Sequence, residues 1–407
     1  MLSVTEVEKI ILDLVKPLTD KEFIPLHEAN NRILADNISS NFDFPYDDNS
    51  AMDGYAVKFQ DVFMASEDSP VSLNIVEEIP AGYCPQKTIL SGETARIFTG
   101  AILPLGADTI VIQENTQSEG CQVDIFTPPL KNDFVRYKGS FYRSGDFLLS
   151  SGSKLNPPEM AILATAQCLQ VPVVRSPIIA ILSTGDELIT PDESMVKGKI
   201  IDSNQYLLAS FIQQNGGIPL SLGIIPDNPV ALENAITNAL NKADWVISTG
   251  GVSVGDYDYV DEVLRKLGGK FHVKGVKMKP GKPLTVATFD QDKLYFGIPG
   301  NPVSTMVTCW RFLQTAMEKL SGRKNYRYPS IVKGITRNHL RSQGNRENYV
   351  WGNVKVVEGY YQFTLAQGSH NSGNLVNLQN INALAIIPVG TNLIEIGDDV
   401  DILLVNH

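Results

Sequence analysis

Ile178-Ile179-Ala180-Ile181-Leu182-Ser183-Thr184-Gly185-Asp186-Glu187 and Asp244-Trp245-Val246-Ile247-Ser248-Thr249-Gly250-Gly251-Val252-Ser253-Val254-Gly255-Asp256-Tyr257-Asp258 are two copies of one local design. Each is an apolar run that closes on Ser-Thr-Gly and then turns acidic. A strand buried on both faces of a parallel sheet reads as such a run, and the carboxyl ends of such strands are where α/β sheets hold ligands. Two equivalent turns in one domain imply a single crevice lined from both.

Outward from these runs, strands alternate with helices from Pro177 to about Gly322. The pattern predicts helix Asn204–Gln214, stopped by Asn215-Gly216-Gly217, and then strand Ile218–Ile224. Helix Pro229–Asn241, strand Asp244–Ser248, helix Tyr257–Leu267 and strand Phe271–Val276 follow. Strands Leu284–Phe289 and Leu294–Ile298 and a helix from Pro302 to Leu320 complete the region. Such alternation builds a mostly parallel sheet with helices on both faces, a three-layer α/β domain. N-terminal to it, Ser3 to Val15 reads as an amphipathic helix opened by the capping box Ser3-x-x-Glu6. Short strands and Pro/Gly turns fill the stretch from Phe23 to about Val174, and the same texture returns after Arg323. The expected division is 1–175, mostly β and built of two interleaved subdomains, then 176–322, α/β, then 323–407, a small β domain.

The 407 residues carry a formal net charge of -11, which argues against a protein that coats nucleic acid. No apolar run approaches the ~20 residues of a membrane span, and the first residues lack the basic and apolar regions of a signal peptide. Cys84, Cys121, Cys168 and Cys309 are scattered and form no disulfide or zinc pattern. The expectation is a cytoplasmic protein without nucleic-acid or membrane partners. The cations, however, are uneven. Between Val263 and Phe289 lie Arg265, Lys266, Lys270, Lys274, Lys277, Lys279 and Lys282, and no acid. A solvated helix end and an edge strand account for Arg265 and Lys266. They account poorly for Lys279 and Lys282, which sit in Met278-Lys279-Pro280-Gly281-Lys282-Pro283, where two prolines restrict the backbone. A basic patch on an acidic protein points to a small anion.

Downstream, Gly297-Ile298-Pro299-Gly300-Asn301-Pro302-Val303-Ser304 joins a strand to a helix. Asn301 suits the N-cap and Pro302 the first helical position, so free backbone amides would face the carboxyl edge of the sheet. A tight connector is the plainer alternative. Acidic candidates at the same edge are Asp186, Glu187, Asp227, Asp256 and Asp258. Carboxylates at neighbouring strand ends hold Mg²⁺ well when a phosphate completes the shell. Helix N-capping is the alternative for Asp186 and Asp256. Asn49-Ser50-Ala51-Met52-Asp53-Gly54-Tyr55-Ala56-Val57 and Arg96-Ile97-Phe98-Thr99-Gly100-Ala101 read, by physics alone, as turns.

Six of these segments, in this order, resemble the molybdopterin molybdenumtransferase family, to which MoeA and the gephyrin E-domain belong. They are Ser50 to Ala56, Phe98 to Ala101, Ser183 to Leu188, Thr249 to Ser253, Lys279 to Pro283 and Pro299 to Ser304. The resemblance covers nearly the whole chain. It implies insertion of molybdate into adenylylated molybdopterin, with Mg²⁺ and release of AMP, to give molybdenum cofactor. It implies that Ser183, Thr184, Gly185, Asp186, Ser248, Gly250, Gly251, Ser253, Pro299, Gly300 and Asn301 bind the pterin nucleotide. Glu187, Asp227 and Asp258 would serve metal and phosphate. Lys279, Lys282, Pro283 and Ser304, with Arg346 and Ser369 from the C-terminal domain, would hold molybdate. A homodimer is implied, with Asp53 and Thr99 acting across its interface; the molybdopterin adenylyltransferase and molybdoenzyme apoproteins are further candidate partners.

The chain departs from that pattern at Arg136-Tyr137-Lys138-Gly139-Ser140-Phe141, where the family usually reads Arg-x-x-Gly-Glu-Asp. Phe141 stands where an aspartate is expected, and Asp146 replaces it only if the loop shifts. Gly344-Asn345-Arg346 interrupts a Gly-Arg pair, and Gln367-Gly368-Ser369-His370 resembles its counterpart loosely. Two alternatives follow: a non-catalytic molybdopterin-binding scaffold, and an adenylyltransferase built on a similar central domain. The lysine loop favours an enzyme over a scaffold. The flanking domains and Arg346 favour metal insertion over adenylylation.

Overall fold

A computed structural model describes residues 1–250, 259–368 and 371–405. The chain forms two compact units, one made of Met1–Asp36, Ser151–Met160 and Leu169–His407, the other of Asn37–Ser150 and Ala161–Cys168.

The first unit holds the α/β sheet. Its six strands run in the order Ile218–Ile225, Ile178–Thr184, Trp245–Thr249, Leu294–Ile298, Thr285–Thr288 and Lys270–Lys274. The first four are mutually parallel; Thr285–Thr288 is antiparallel to both its neighbours, so Lys270–Lys274 at the edge again runs with the core. The period-two alternation of strand side chains explains the two cores. Ile179, Ile181, Trp245, Ile247 and Phe296 point to one face, where they meet Leu208, Phe211, Val303 and Val307. Ala180, Leu182, Val246 and Tyr295 point to the other, against Leu232, Ile236, Val263 and Leu264. Three layers result, as the alternation of elements implied. Helices Asn204–Gln214 and Pro229–Lys242 lie where the sequence pattern put them. The last helix differs in detail. Pro302–Thr308 and Gln314–Leu320 flank a π-turn at Cys309–Leu313.

That π-turn has a partner. Arg311, 6 % exposed, donates to both carboxylate oxygens of Glu8 at 2.6 and 3.1 Å and to the Tyr349 hydroxyl at 3.0 Å. Glu8 belongs to helix Val4–Leu14, which carries the expected capping box: Glu6 N–H donates to Ser3 Oγ and Ser3 N–H to Glu6 Oε2. Val4, Val7 and Ile11 of this helix enter the core of the α/β layer.

The C-terminal strands close on themselves. Glu347–Val357 pairs with Tyr360–Leu365, which pairs with Ile331–Thr336. The ring continues through Asp399–Leu404 and Ala383–Ile387 back to Glu347–Val357, making a five-stranded barrel. Met278–Lys279 joins it in parallel, Met278 opposite Glu347 and Lys279 opposite Asn348. The lysine loop is therefore stitched to the barrel by a strand pair.

The second unit is mostly β. Its sheet runs Thr109–Ile112, Gly54–Val57, Glu93–Ile97, Val71–Ile79, Gln122–Ile125 and Thr116–Glu119. It buries Tyr55, Val57, Leu73 and Val111 on one side and Ala56, Ile79, Ile97 and Ile110 on the other. No helix among the described residues is long and apolar enough to cross a membrane.

Candidate functional site

The two Ser-Thr-Gly turns meet. Strands Ile178–Thr184 and Trp245–Thr249 are neighbours in the sheet, with Ser183 opposite Thr249. Thr249 Oγ1 donates to Ser183 Oγ at 3.2 Å, and Thr184 Oγ1 to the Thr249 carbonyl at 3.4 Å. Gly250 holds φ 83°, and a Cβ there would sit 2.3 Å from the Thr184 carbonyl oxygen. Only glycine fits such a position. Gly300 closes the third side, with Gly250 3.6 Å from where its own Cβ would be. Its carbonyl accepts the Asn204 side-chain amide at 2.8 Å. Ser248, fully buried, bonds the Tyr295 hydroxyl instead of opening to the crevice. Gly251, Ser253, Asp256, Asp258 and Ser369 lie outside the described residues.

At the edge of this crevice Asp186, Glu187 and Asp227 gather. The Asp227 amide donates to Asp186 Oδ1 at 3.2 Å, and the Glu187 carboxylate folds over Gly185. Asp186 begins no helix; strand Leu188–Ile189 follows it, so its oxygen organises the neighbouring turn rather than capping its own segment. Lost hydration, and then the charges of Asp186 and Glu187, hold the Asp227 carboxyl above its ordinary value against a lowering hydrogen bond from Asp186. Among the described residues no three His, Cys, Asp or Glu side chains form a ready metal cage.

The lysine loop presents a cavity of about 490 Å³ lined by Lys279, Lys282, Pro283, Ser304, Arg346 and the barrel residues that follow. Gly281, at φ 106°, packs against Met278 and Thr308, where a side chain would be strained, which seats the loop on helix Pro302–Thr308. Lys279 and Lys282 are exposed at its rim, while Ser304 is buried at its base. Sequence reasoning missed His339, Arg341, Tyr349 and Trp351, which also line it. The described wall carries four cations (Lys279, Lys282, Arg341, Arg346) and no carboxylate. By contrast Lys266 and Lys274 pair with Glu233 and Asp261, and Arg265 stacks on Phe271. Among the described residues the cation-rich stretch thus splits into cations paired with carboxylates or rings and cations, Lys279 and Lys282, that line the cavity.

Asn301 occupies the N-cap position with Pro302 after it, but its side chain makes no cap bond. Its Nδ2 reaches Ser372 Oγ at 3.4 Å, and the Val303 amide donates to the Ser372 carbonyl at 3.1 Å. One amide expected to face a ligand is therefore already engaged, because the 371–372 segment folds over the helix start.

In the second unit, Asp53 Oδ1 accepts both the amide and the hydroxyl of Thr99, at 2.8 and 2.7 Å. Those two bonds, aided by Arg96, hold the Asp53 carboxyl below its ordinary value. Arg96 itself lies over the rings of Tyr55 and Phe98. Two segments read as turns are so joined into one anionic spot. Phe141 is 61 % exposed and tilted against Phe44. Asp146 accepts the Arg143 amide at 2.7 Å, so it is held within its own turn and does not replace the missing acid.

The parallel α/β core thus carries Gly-lined strand ends and an acidic edge, and a cation-walled cavity lies against a small barrel. Residues 2–166 match the MoeA N-terminal region (domain I and II), 180–319 a probable molybdopterin binding domain and 333–405 the MoeA C-terminal region (domain IV). The chain is 50% identical over 408 aligned residues to a molybdopterin molybdenumtransferase of Nostoc sp., covering 99% of this chain and 94% of that one. It is 31% identical to that of Haemophilus influenzae, covering 100% and 99%. The crystal structure of a molybdopterin biosynthesis moeA protein from Pyrococcus horikoshii superposes at a TM-score of 0.84 with 28% identity, covering all of both chains. The chain belongs to the molybdopterin molybdenumtransferase family.

Proposed function

We propose that this transferase binds adenylylated molybdopterin along the crevice formed by Ser183 to Asp186, Thr249, Gly250 and Gly300, and molybdate in the cavity beside it. The observation that carries the reading is the cavity wall of four cations without a carboxylate. Molybdate is a tetrahedral dianion. Ammonium and guanidinium groups in a concave wall bind it through charge-assisted hydrogen bonds, and Ser304 adds a donor at the base. The short strand pair and the packed Gly281 fix Lys279 and Lys282, so little entropy is lost on binding.

Asp186, Glu187 and Asp227 fit Mg²⁺. Mg²⁺ is usually held by one or two carboxylates plus substrate phosphates rather than by an all-protein cage, and the raised Asp227 carboxyl marks a cluster that a cation would relieve. When bound, Mg²⁺ supplies charge neutralisation at the pyrophosphate. The protein's own residues position the two reactants and neutralise the oxyanion, and no covalent enzyme intermediate is needed. Asp53 and Thr99 act across a homodimer. Molybdate-dependent AMP release from adenylylated molybdopterin tests this reading. Release that is indifferent to molybdate, or unchanged in Lys282→Ala, defeats it. Consumption of ATP with free molybdopterin supports adenylylation instead.

A further inference from the structure

A second cavity, of about 280 Å³, opens at the start of helix Asn204–Gln214; Pro191, Asp202, Gln205, Tyr206 and Ile224 are among its lining residues. Its described wall has no lysine or arginine. Two of its side chains are almost wholly buried, Asp202 at 3 % and Gln205 at 9 % exposure. Asp202 Oδ1 accepts the amides of Asn204 and Gln205 at 3.1 and 3.3 Å. That oxygen is spent on the first turn of the helix, since Ser203 makes no side-chain cap there. The other oxygen, Oδ2, has no hydrogen-bond partner among the described residues.

Gln205 repeats the arrangement. Its Nε2 donates to the Gly223 carbonyl at 3.0 Å and to Ser183 Oγ at 3.4 Å. A carbonyl accepts only, so the amide nitrogen must face it and the group cannot be flipped. Oε1 is then left without a partner. Gly223 presents that carbonyl because strand Ile218–Ile225 slips register beside Ile181 and Ser183, and Gly223 itself adopts φ 79°. Bulges of this kind recur beside active sites.

A buried acceptor without a donor costs about 1–3 kcal/mol, and native proteins leave few of them. Here two line one cavity, Asp202 just before the helix and Gln205 in its first turn, each anchored by its other end. The pair is therefore preorganised for a ligand that brings two neighbouring N–H donors and no negative charge. Pro191, Ala209 and Ile224 offer apolar walls for a flat ring.

We propose that this cavity seats the pterin ring of the substrate, with Asp202 Oδ2 and Gln205 Oε1 accepting from ring N3–H and the exocyclic 2-amino group. The assignment rests on the reading of the chain as one that binds a pterin nucleotide. Adenine, at the other end of that substrate, is excluded by its pattern, since its amino group is flanked by ring acceptors that would face the two oxygens.

Isothermal titration of the full-length protein with pterin, lumazine and AMP tests it. In lumazine a carbonyl replaces the 2-amino group. Pterin is expected to bind at least about tenfold more tightly than lumazine. Asp202→Asn, which keeps an oxygen for the helix turn and offers an N–H₂ to the cavity, is expected to weaken pterin about tenfold and leave AMP unchanged. Equal binding of pterin and lumazine, no binding of pterin by the unmutated protein, or loss of AMP rather than pterin in Asp202→Asn each overturns the proposal. The pterin–lumazine comparison needs no variant and stands even if Asp202→Asn fails to fold. Molybdate binding that ignores Lys282 while the pterin preference persists would sink the metal-insertion reading and leave this one intact.

Discussion

Replacing Gly250 by alanine puts the convergence of the strand-end turns to a direct test. The new Cβ would lie 2.3 Å from the Thr184 carbonyl oxygen, roughly 1 Å inside the ~3.5 Å optimum of non-bonded contacts. The obstacle is backbone, so no rotamer change relieves it. Alanine at φ 83° adds the left-handed penalty of about 1–2 kcal/mol, and overpacking of this kind adds about 1–3 kcal/mol. The sum, about 2–5 kcal/mol, corresponds to a fall in melting temperature of roughly 5–15 °C for a unit of this size. The turns would part by something near 1 Å, enough to cost about 100-fold in rate if they hold the substrate. Gly300→Ala is the internal control. Its Cβ would meet Gly250 at 3.6 Å, an ordinary contact, so its melting temperature should stay within about 3 °C of the parent. Calorimetry and molybdate-dependent AMP release read both. A Gly250→Ala protein that melts and turns over like the parent, or a Gly300→Ala protein equally destabilised, refutes the geometry argued for the crevice.

Thr99→Val removes the hydroxyl bond to Asp53, so the Asp53 titration, followed by NMR, should move up toward the ordinary carboxylate range. Because the native value is depressed, the stabilisation from these bonds is present above the unfolded carboxylate pKa and fades as pH falls through the native one. Thr99→Val should therefore flatten the acid limb of stability. Arg311→Met leaves Glu8 and Tyr349 without their shared donor; loss of one partner of a buried pair costs about 3–5 kcal/mol, measurable by denaturant titration. Lys282→Ala and Arg346→Ala should each raise the molybdate concentration needed for half-maximal AMP release about tenfold or more, with AMP affinity unchanged. If the proposed homodimer holds, Asp53→Asn and Lys282→Ala, assayed at molybdate low enough that each alone is nearly silent, should regain about a quarter of parental activity when mixed and allowed to exchange subunits, because half of the dimers would then carry one intact site of two. Mixing without recovery places Asp53 and Lys282 in the same subunit's site.

The α/β core was legible because buried parallel strands leave a strong mark. Helix Asn204–Gln214 falls on the residues its pattern implied, and strand Trp245–Thr249 is one residue from its expected span. The reversed sense of Thr285–Thr288, antiparallel to both its neighbours, was not legible, since an apolar run of four or five residues reads alike in either direction. Neither was the barrel's share of the cavity. Arg341 and Trp351 reach it only because Met278–Lys279 pairs with Glu347–Asn348, a register no local pattern encodes. The role given by sequence to Asn301 was right in position and wrong in chemistry. Its propensity for the N-cap is real, yet Ser372, far along the chain, takes both its amide and the Val303 N–H. Tertiary contacts override local propensity most easily at helix ends, where backbone groups are unpaired and any nearby acceptor competes.

The division of labour among the cations explains how an acidic chain builds an anion site. At a net charge of -11 the mean field repels molybdate, so attraction must come from cations left unneutralised by design. Lys266, Lys274, Arg175, Arg311 and Arg323 all pair with carboxylates, while Lys279, Lys282, Arg341 and Arg346 share a wall that offers none. Each unpaired cation raises the cost of the folded state by mutual repulsion, and a dianion bound among them relieves it. The same logic, with the sign reversed, would apply at Asp186, Glu187 and Asp227, where lost hydration and then the neighbouring charges raise the Asp227 carboxyl and a bound cation would favour its charged form. On the proposed reading, opposite charges flanking one crevice would draw the oxyanion to one side and leave the carboxylates to hold a cation at the pyrophosphate on the other. That separation, more than any single residue, would then orient the two reactants before exchange.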